Sequence, residues 1–496
     1  MNQYVSPEKR RVFNVQELTL QQTNSKNSYK DKTERFYEAC KETREYILSR
    51  YDSNVESRNK ENSYTKIYHE ACIGVPEAVS MLKKDIEEFI RSKGYHELEY
   101  PEYYLNLVEG IYEELYGLGP LASWRYLEDS ESAQVLGTEI SFKKADGWEL
   151  QPFSFRSEKD VEELCGRLTN IDPKNLLNEY TNPDLQTYTH DGYRVTIVMP
   201  KLMARETVIS FRKQTLKQFN FGVIAKHNTI PKEAITLFEQ LSKLTLTGIV
   251  GGPPGVGKSA FLQAMINTFI YERREKNIIP ERSGKTIYAE ASFEWDVRKL
   301  YPKSGIAHMI GEGEDFVKKI GSRILTLDAK RVILGEIKEH EAGLYYRAGI
   351  QGIKQVLGTL HDIDPYNIIE ILSNLFLIYH NNIQVNPSKV YSTIARNLHF
   401  SISMDEHKIN GFDEKKVESV QFYDVDHDGN VKMYKIMQYD ISNDSWTFSS
   451  KIPKRIERLA KYKHEEFKLF MECLVLLENK YPMAEEDRVE SRSQVI

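Results

Sequence analysis

The sequence predicts an α/β protein, in which a mostly parallel sheet wrapped by helices follows a small α+β domain and a helical N-terminal extension. From about residue 216 onward, short apolar segments alternate with helical patterns, which is typical of parallel sheets. Before them, residues 138–213 read mainly as strands around a single helix, the pattern of a small α+β domain. Earlier still, residues 31–125 show mainly helical spacing of apolar side chains.

Composition narrows the class of protein. A chain of 496 residues is expected to form two to four domains, and 40% hydrophobic with 28% charged residues favours an ordered, water-soluble protein. A net charge of -6 gives no overall sign of nucleic-acid binding, so none is predicted. The four cysteines lack metal-ligand spacing, which fits a reducing cytoplasm. We see neither a secretory signal pattern nor an apolar run long enough to span a membrane, so any membrane association should be peripheral.

The N-terminal third is expected to be helical after a flexible start. Helices are predicted over 32–52, 76–94 and 101–117, and the last two open with a proline and close with a glycine. The first residues are polar and are expected to be mobile. The full domain division that we predict is 1–30 flexible, 31–125 helical, 126–215 α+β, 216–400 α/β with a mostly parallel sheet, and 401–496 completing that last domain.

The α+β region should contain a hairpin, a helix and two further strands. Residues 138–155 predict two strands around Asp146 and Gly147, a hairpin signal. Ser157 is a plausible N-cap of the next helix. Segments 186–200 and 206–213 are each predicted to form one strand.

The following region supplies the parallel strands. Four strand candidates, LTLTGIVGG, KTIYAEAS, RVILGEI and KQVLGTLHD, are separated by helical patterns. After residue 400 we expect further strands with a turn at Asp428 and Gly429, then a closing amphipathic helix over 463–481.

The stretch GGPPGVGKSA at 251–260 predicts a phosphate-binding loop. It fits G-x-x-x-x-G-K-[ST] between a strand and a helix, where glycines let backbone N–H groups wrap an anion at a helix N-terminus. Lys258 would reach the β- and γ-phosphates, and Ser259 would place its hydroxyl on Mg²⁺. The alternative is a glycine-rich turn without a ligand. The residues predicted to bind ATP are Gly252, Pro253, Pro254, Gly255, Val256, Gly257, Lys258, Ser259 and Ala260.

Hydrolysis would need a carboxylate beside that loop. Glu336 ends the strand candidate 331–336, so it should face the crevice at the carboxyl edge of the sheet. It could activate water or hold a Mg²⁺-bound water molecule, although it could also simply cap the strand. Glu290 and Glu294 follow another strand candidate and are candidates by the same logic.

The phosphate loop and several short segments before and after it, in their order along the chain, resemble those of the type II/IV secretion and pilus-assembly ATPases, most closely the Tad-pilus, CpaF-type motors. The similarity covers about residues 75–420 and is most specific between 251 and 361. The segments that carry the resemblance are YEELYGLGPLA at 112–122, DGYRVTIVMP at 191–200, TVISFRK at 207–213, the phosphate loop, TIYAEASFEW at 286–295, RVILGEIKEHEA at 331–342 and VLGTLHD at 356–362.

The resemblance implies a RecA-like domain in a homohexameric ring that couples ATP hydrolysis to secretion, pilus assembly or conjugative transfer. It also implies an inner-membrane platform protein as partner and a position at the cytoplasmic face of the membrane. By position, Glu336 is the Walker B carboxylate, Glu290 and Glu294 are acids of the acidic box, and His361 is the second histidine of the His box. Arg194 and Arg212 match arginines that approach the phosphates; each could instead form a surface ion pair.

Several positions depart from the family pattern. Ala291 replaces an aspartate of the acidic box, Ile353 replaces the first histidine of the His box, and Lys338 stands where arginine is usual. These changes bear on turnover and coupling more than on binding. A ring scaffold that binds nucleotide with little hydrolysis therefore stays open as an alternative, and a small-molecule kinase stays open as a third.

Overall fold

The computed structural model divides the chain into two compact units, residues 1–215 and 216–496. The two are treated separately below. The residues that the structure describes are 26–52, 64–144, 147–170, 177–189, 191–213, 218–271, 286–291, 295–302, 304, 306–311, 313–361, 364, 367–379, 385–409, 411–426 and 430–492.

The first unit begins with helices. Helix α3 starts at Pro76 and ends at Gly94, which has φ +71° and caps the helix, as the sequence predicted. The helix predicted over 101–117 is shorter than expected, because Asn106 accepts a hydrogen bond from the Glu109 N–H and starts α4 one residue later. The helices are α1 Lys26–Asp52, α2 Tyr64–Cys72, α3 Pro76–Lys93 and α4 Leu107–Leu115.

The rest of the first unit is a six-stranded antiparallel sheet with one helix, α5, at Glu158–Thr169. Ser157 caps α5 as predicted, and Val161, Leu164 and Leu168 pack with the sheet residues in one core. The strands, in the spatial order β3-β2-β1-β6-β5-β4, are β1 Ser132–Leu136, β2 Glu139–Lys144, β3 Gly147–Ser154, β4 Asp184–Tyr188, β5 Arg194–Val198 and β6 Val208–Arg212.

Two strand predictions for this sheet have different outcomes. The hairpin expected near residue 146 is present as the antiparallel pair β2 and β3, although Asp146 itself lies outside the described residues. The single strand predicted over 186–200 is wrong, because the segment forms two strands, β4 and β5. Gly192, at φ +86°, donates its N–H to the Thr189 carbonyl in the turn between them.

The second unit is built on a ten-stranded sheet with a parallel half and an antiparallel half, which confirms the predicted parallel-rich α/β architecture. The parallel order is β12-β7-β11-β10-β8-β9, and β13 to β16 extend the β12 side in antiparallel fashion. The strands are β7 Gly248–Gly252, β8 Thr286–Glu290, β9 Ala307–Ile310, β10 Arg331–Leu334, β11 Gln355–His361, β12 Phe400–Ile409, β13 Phe412–Val425, β14 Val431–Asp440, β15 Ser445–Phe448 and β16 Val489–Arg492. The turn predicted at Asp428 and Gly429 lies outside the described residues.

Helices cover both faces of this sheet. Every residue of β7 is buried, and its Ile249 and Val250 point into two different hydrophobic cores. Burial of each such aliphatic side chain contributes about 1.5–3 kcal/mol. The helices are α6 Phe221–Lys226, α7 Ile235–Lys243, α8 Lys258–Tyr271, α9 Val297–Leu300, α10 Gly313–Thr326, α11 Glu339–Ile350, α12 Ile368–Tyr379, α13 Pro387–Asn397, α14 Lys454–Ala460 and α15 His464–Lys480.

The strand order brings the ends of β7 and β11 to one edge of the sheet. Strand β7 lies between β11 and β12, so the chain crosses over β7 on its way from β11 to β12. Such a switch in strand order opens a crevice at the carboxyl ends of the strands. Gly252 at the end of β7 is in register with His361 at the end of β11. Among the described helices, none is long and apolar enough to cross a membrane.

Candidate nucleotide site

The loop from β7 to α8 has a shape that requires glycine. Gly252, Gly255 and Gly257 have φ values of +148°, +88° and +97°. A Cβ at Gly252 would lie 2.2 Å from the Met404 carbonyl oxygen of β12. The loop can therefore keep its backbone N–H groups close to an anion at the start of α8 only with glycine at these positions.

Lys258, the first residue of α8, folds back over the loop. Its Nζ donates to the carbonyl oxygens of Gly252 and Pro253 at 2.8 and 2.7 Å. The residue is 6% exposed, and burial lowers the pKa of its ammonium to about 8. A buried ammonium satisfied by loop carbonyls can exchange them for phosphate oxygens, which would offset the cost of its burial.

His361 connects that lysine to the predicted Walker B carboxylate. Its Nδ1 lies 3.2 Å from Lys258 Nζ and its Nε2 lies 2.6 Å from Glu336 Oε1. Because a lysine ammonium only donates, Nδ1 accepts and Nε2 carries the proton towards Glu336. The three side chains form one hydrogen-bonded chain at the carboxyl edge of the sheet.

Glu336 is held in its ionised form. Burial alone raises the pKa of its carboxyl, but the hydrogen bond and charge of Lys338 and the hydrogen bond from His361 outweigh it, so the pKa is lowered. Lys338 Nζ lies 2.9 Å from Glu336 Oε2. The carboxylate can therefore accept a proton or position a water molecule at neutral pH.

The backbone around Glu336 is anchored to both neighbouring strands. The Gly335 N–H donates to the Ala289 carbonyl at 3.0 Å, and the Thr359 hydroxyl donates to the Gly335 carbonyl at 2.7 Å. The Ile337 N–H donates to the Thr359 carbonyl at 2.8 Å. These contacts fix the direction in which Glu336 leaves β10.

Glu290 ends β8 in a buried polar cluster. It is 3% exposed; His308 Nε2 lies 2.8 Å from its Oε1, and the Tyr288 hydroxyl donates to its Oε2 at 3.0 Å. Its Oε2 also lies 3.3 Å from where a Cβ of Gly335 would stand. Glu290 therefore lies next to the segment that carries Glu336, but both of its carboxylate oxygens are bound by His308 and Tyr288. Glu294 lies outside the described residues.

The remaining loop residues surround these groups. Val256 is buried in the core below the loop, and Pro254 is exposed at the rim. Ser259 and Ala260 are half-buried in the first turn of α8, and among the described residues no side chain or carbonyl hydrogen-bonds the Ser259 hydroxyl. That hydroxyl is thus available to a cation, and the loop fits Mg²⁺-bound nucleotide.

The two predicted arginines lie side by side in the first unit. Arg194 on β5 and Arg212 on β6 are directly paired across the strands. The structure thus brings these two guanidinium-bearing positions together within that sheet. The second unit by itself brings Lys258, Glu336 and His361 together.

Sequence reasoning missed His308 and Tyr288. Tyr288 and Glu290 are two residues apart in a strand, so both lie on one side of β8. Their proximity could therefore have been predicted from the sequence. His308 lies on β9, a strand that the sequence pattern did not reveal, so nothing local indicated its contact with Glu290.

Comparisons with known proteins give one sequence relative and several solved structures. No family model matches the chain. Protein VirB11 of Agrobacterium fabrum is 23% identical over 279 residues, which cover 50% of this chain and 76% of the relative. The VirB11 ATPase of the Brucella suis type IV secretion system is 15% identical, with 61% of this chain and 92% of that one covered and a TM-score of 0.31. The Legionella pneumophila ATPase DotB is 13% identical, with 72% and 90% covered and a TM-score of 0.43.

The TM-scores of both solved structures are low, so these two likenesses support no conclusion about this chain. The sequence relative, in contrast, confirms the resemblance to the type II/IV secretion ATPase family, at low identity. It matches about half of this chain.

Proposed function

We propose that this protein is an ATPase that binds Mg²⁺-ATP on the loop 252–259 and hydrolyses it to drive a secretion or pilus machine. The observation that carries the proposal is the hydrogen-bonded chain from Lys258 through His361 to Glu336, placed beside a glycine loop at a helix N-terminus. At one edge of the sheet, Lys258 supplies a cation that can bind the phosphates, and Glu336 supplies an ionised carboxylate that can position water.

Each residue of this chain has a distinct role in the proposed reaction. Lys258 would contact the β- and γ-phosphates, and the Ser259 hydroxyl would hold Mg²⁺, which supplies neutralising charge when bound. Glu336 would orient the attacking water and accept its proton. His361, in contact with both, would report the presence of the γ-phosphate to Glu336.

Three further side chains complete the proposed site. Glu290 would support Glu336 from the neighbouring strand. Arg194 and Arg212, paired on β5 and β6, would provide two guanidinium groups for phosphate oxygens. The role of Glu290 rests on the resemblance and on its place beside the Glu336 segment, and the roles of the two arginines rest on the resemblance.

The machine is proposed from the family resemblance and from the match to VirB11. We propose a RecA-like ATPase domain in a homohexamer, acting at the cytoplasmic face of the inner membrane on a platform protein of a Tad-type pilus, secretion or conjugation apparatus. The five-part domain division given above remains a prediction.

A nucleotide-binding ring scaffold with weak hydrolysis is the second candidate, and three observations favour it. Both oxygens of Glu290 are engaged by His308 and Tyr288, and Ala291 stands where the family has a second acid. Lys338 also occupies one oxygen of Glu336.

Equilibrium ATP binding and steady-state phosphate release, measured on the same preparation with Mg²⁺, separate the two candidates. The ATPase should bind ATP and release phosphate over many turnovers, and Lys258→Ala should lose binding. Tight binding without turnover by a correctly assembled protein would favour the scaffold. Absence of ATP binding would overturn both.

A further inference from the structure

A polar cavity of about 140 Å³ lies in the first unit, and none of its lining residues belongs to the candidate nucleotide site. It is lined by residues of α1, α4 and α5 and by the two residues that follow β3. Its lining includes Tyr37, Lys41, Arg44, Glu114, Arg156 and Arg167. A partly open cavity lined by this many charged groups differs from a packing defect, since the empty cavities that proteins retain are apolar.

Two arginines at the rim of the cavity are paired. Arg44 Nη2 lies 3.3 Å from Glu163 Oε2, and Arg156 Nη2 lies 3.2 Å from Asp160 Oδ1. The Arg156 guanidinium also lies 3.7 Å from the centre of the Tyr37 ring. These groups hold α1 against α5 and need no additional ligand.

Arg167 is different, because it is buried and forms no ion pair with any carboxylate in the part of the chain that the structure describes. It is 5% exposed, and its Nε donates to the Gly117 carbonyl at 2.8 Å. Among the described residues, no carboxylate lies within 4.0 Å of its nitrogens, and the residue lines the cavity. A buried guanidinium with open donors carries a desolvation cost that an anionic ligand would offset.

Glu114, on the cavity lining, balances that charge only weakly, because burial outweighs the effect of the Arg167 charge on the pKa of its carboxyl. It forms no ion pair with Arg167, and one of its oxygens accepts a hydrogen bond from the Tyr104 hydroxyl. Burial raises the pKa of the Glu114 carboxyl, which favours its neutral form. Lys41, exposed at the mouth, adds further positive charge.

We propose that this cavity is a binding site for a small oxyanion, a phosphate or carboxylate group, held by the guanidinium of Arg167. A planar guanidinium binds such groups through two parallel hydrogen bonds. The ligand would sit between α1 and α5 and strengthen their contact. The site lies wholly in the first unit and does not depend on the proposed ATPase.

Calorimetric titration of the full chain with inorganic phosphate tests the site. The titration uses a Lys258→Ala background, because phosphate could also bind the glycine loop of the second unit. We expect the Lys258→Ala protein to bind one phosphate per chain, and to bind it at least tenfold more weakly when Arg167→Gln is added. Arg91→Gln, which removes an exposed charge on α3, should leave binding unchanged. A parallel titration with acetate shows whether a carboxylate is accepted in place of phosphate.

A second variant keeps the test decisive, because Arg167 also holds the Gly117 carbonyl. Cys40 is 5% exposed and lines the cavity, so Cys40→Leu should fill the space while every charge stays in place. It should lose phosphate binding and keep its thermal melting transition. The proposal is overturned if the Lys258→Ala protein binds no phosphate, or if Cys40→Leu binds it as tightly as the Arg91→Gln control.

Discussion

His361 Nε2 lies 2.6 Å from Glu336 Oε1, so the last residue of β11 orients the carboxylate that follows β10. The same imidazole contacts Lys258, which makes it the link between the phosphate-binding and water-binding halves of the proposed site. Glu336 and His361 are 25 residues apart in sequence. They meet because β10 and β11 are neighbours in the sheet.

Loss of this contact should slow turnover. His361→Ala is expected to lower the rate of phosphate release by about 10–100-fold, the range seen when a group that orients a functional side chain is removed. Lys338→Gln is the matched control, because Lys338 also contacts Glu336 but is 62% exposed. An exposed pair is worth less than about 1 kcal/mol, so this control should lose less than about fivefold. Equal losses in both variants would show that His361 has no special role.

Nucleotide affinity should fall in alkaline solution. Burial holds the pKa of Lys258 at about 8 in the free protein, whereas bound phosphates favour its protonated form. Below pH 8 the lysine is protonated in both states; above pH 8 binding must take up a proton. Affinity for Mg²⁺-ATP should therefore drop about tenfold or more between pH 7.5 and 9.5.

Calorimetry in two buffers of different ionisation enthalpy measures this proton uptake directly. Lys258→Arg stays charged throughout this range and should show a flat pH profile, whatever its absolute affinity. A wild-type affinity that does not change between pH 7.5 and 9.5 would contradict the lowered pKa of Lys258.

The glycine that ends β7 should be intolerant of a side chain. Gly252→Ala places a Cβ against the Met404 carbonyl oxygen, so β12 must shift and the protein should lose both ATP binding and several degrees of thermal stability. Gly255→Ala is the control, since its Cβ meets no atom within 4 Å and only its φ of +88° is strained. That strain costs on the order of 1–2 kcal/mol. Thermal melting of the two variants should rank Gly252→Ala as the less stable; the reverse order would contradict the clash.

Acid should destabilise the second unit through His399. The Thr247 N–H donates to its Nδ1 at 2.9 Å, and burial, followed by the charge of Arg455, lowers the pKa of this imidazole to about 3. The unfolded chain protonates His399 near pH 6.5, so folding stability is lost as pH falls through 6.5 towards 3. At pH 5 the loss from this group should be about 2 kcal/mol.

Urea unfolding at pH 7 and pH 5 measures that loss. In His399→Asn an amide oxygen can still accept from Thr247 but does not titrate, so the difference between the two pH values should shrink by about 2 kcal/mol. An unchanged difference would exclude His399 as the source of acid sensitivity.

The sequence was most informative where a structural rule is local. The glycine spacing of the loop and the Pro76 and Gly94 ends of α3 each follow from a few neighbouring residues. The alternation of strands and helices likewise predicted the parallel half of the second sheet. These features need no knowledge of distant contacts.

Contacts between distant segments were not predictable in the same way. His308 reaches Glu290 because β9 pairs with β8 in the register that sets Tyr288 opposite His308. No periodicity encodes such a register. The late start of α4 shows a related limit, because Asn106 supplied a cap signal that competed with the proline at 101.

Phosphate release from Mg²⁺-ATP by wild type and by Glu336→Gln, with ATP binding measured on both, tests the central claim most directly. The amide keeps the size of the side chain but cannot accept the proton of water. We expect both proteins to bind ATP and only the wild type to turn it over, with a loss of about 10²–10⁴-fold in the variant. Equal turnover by the two proteins would contradict the assignment of Glu336 and with it the proposed ATPase site.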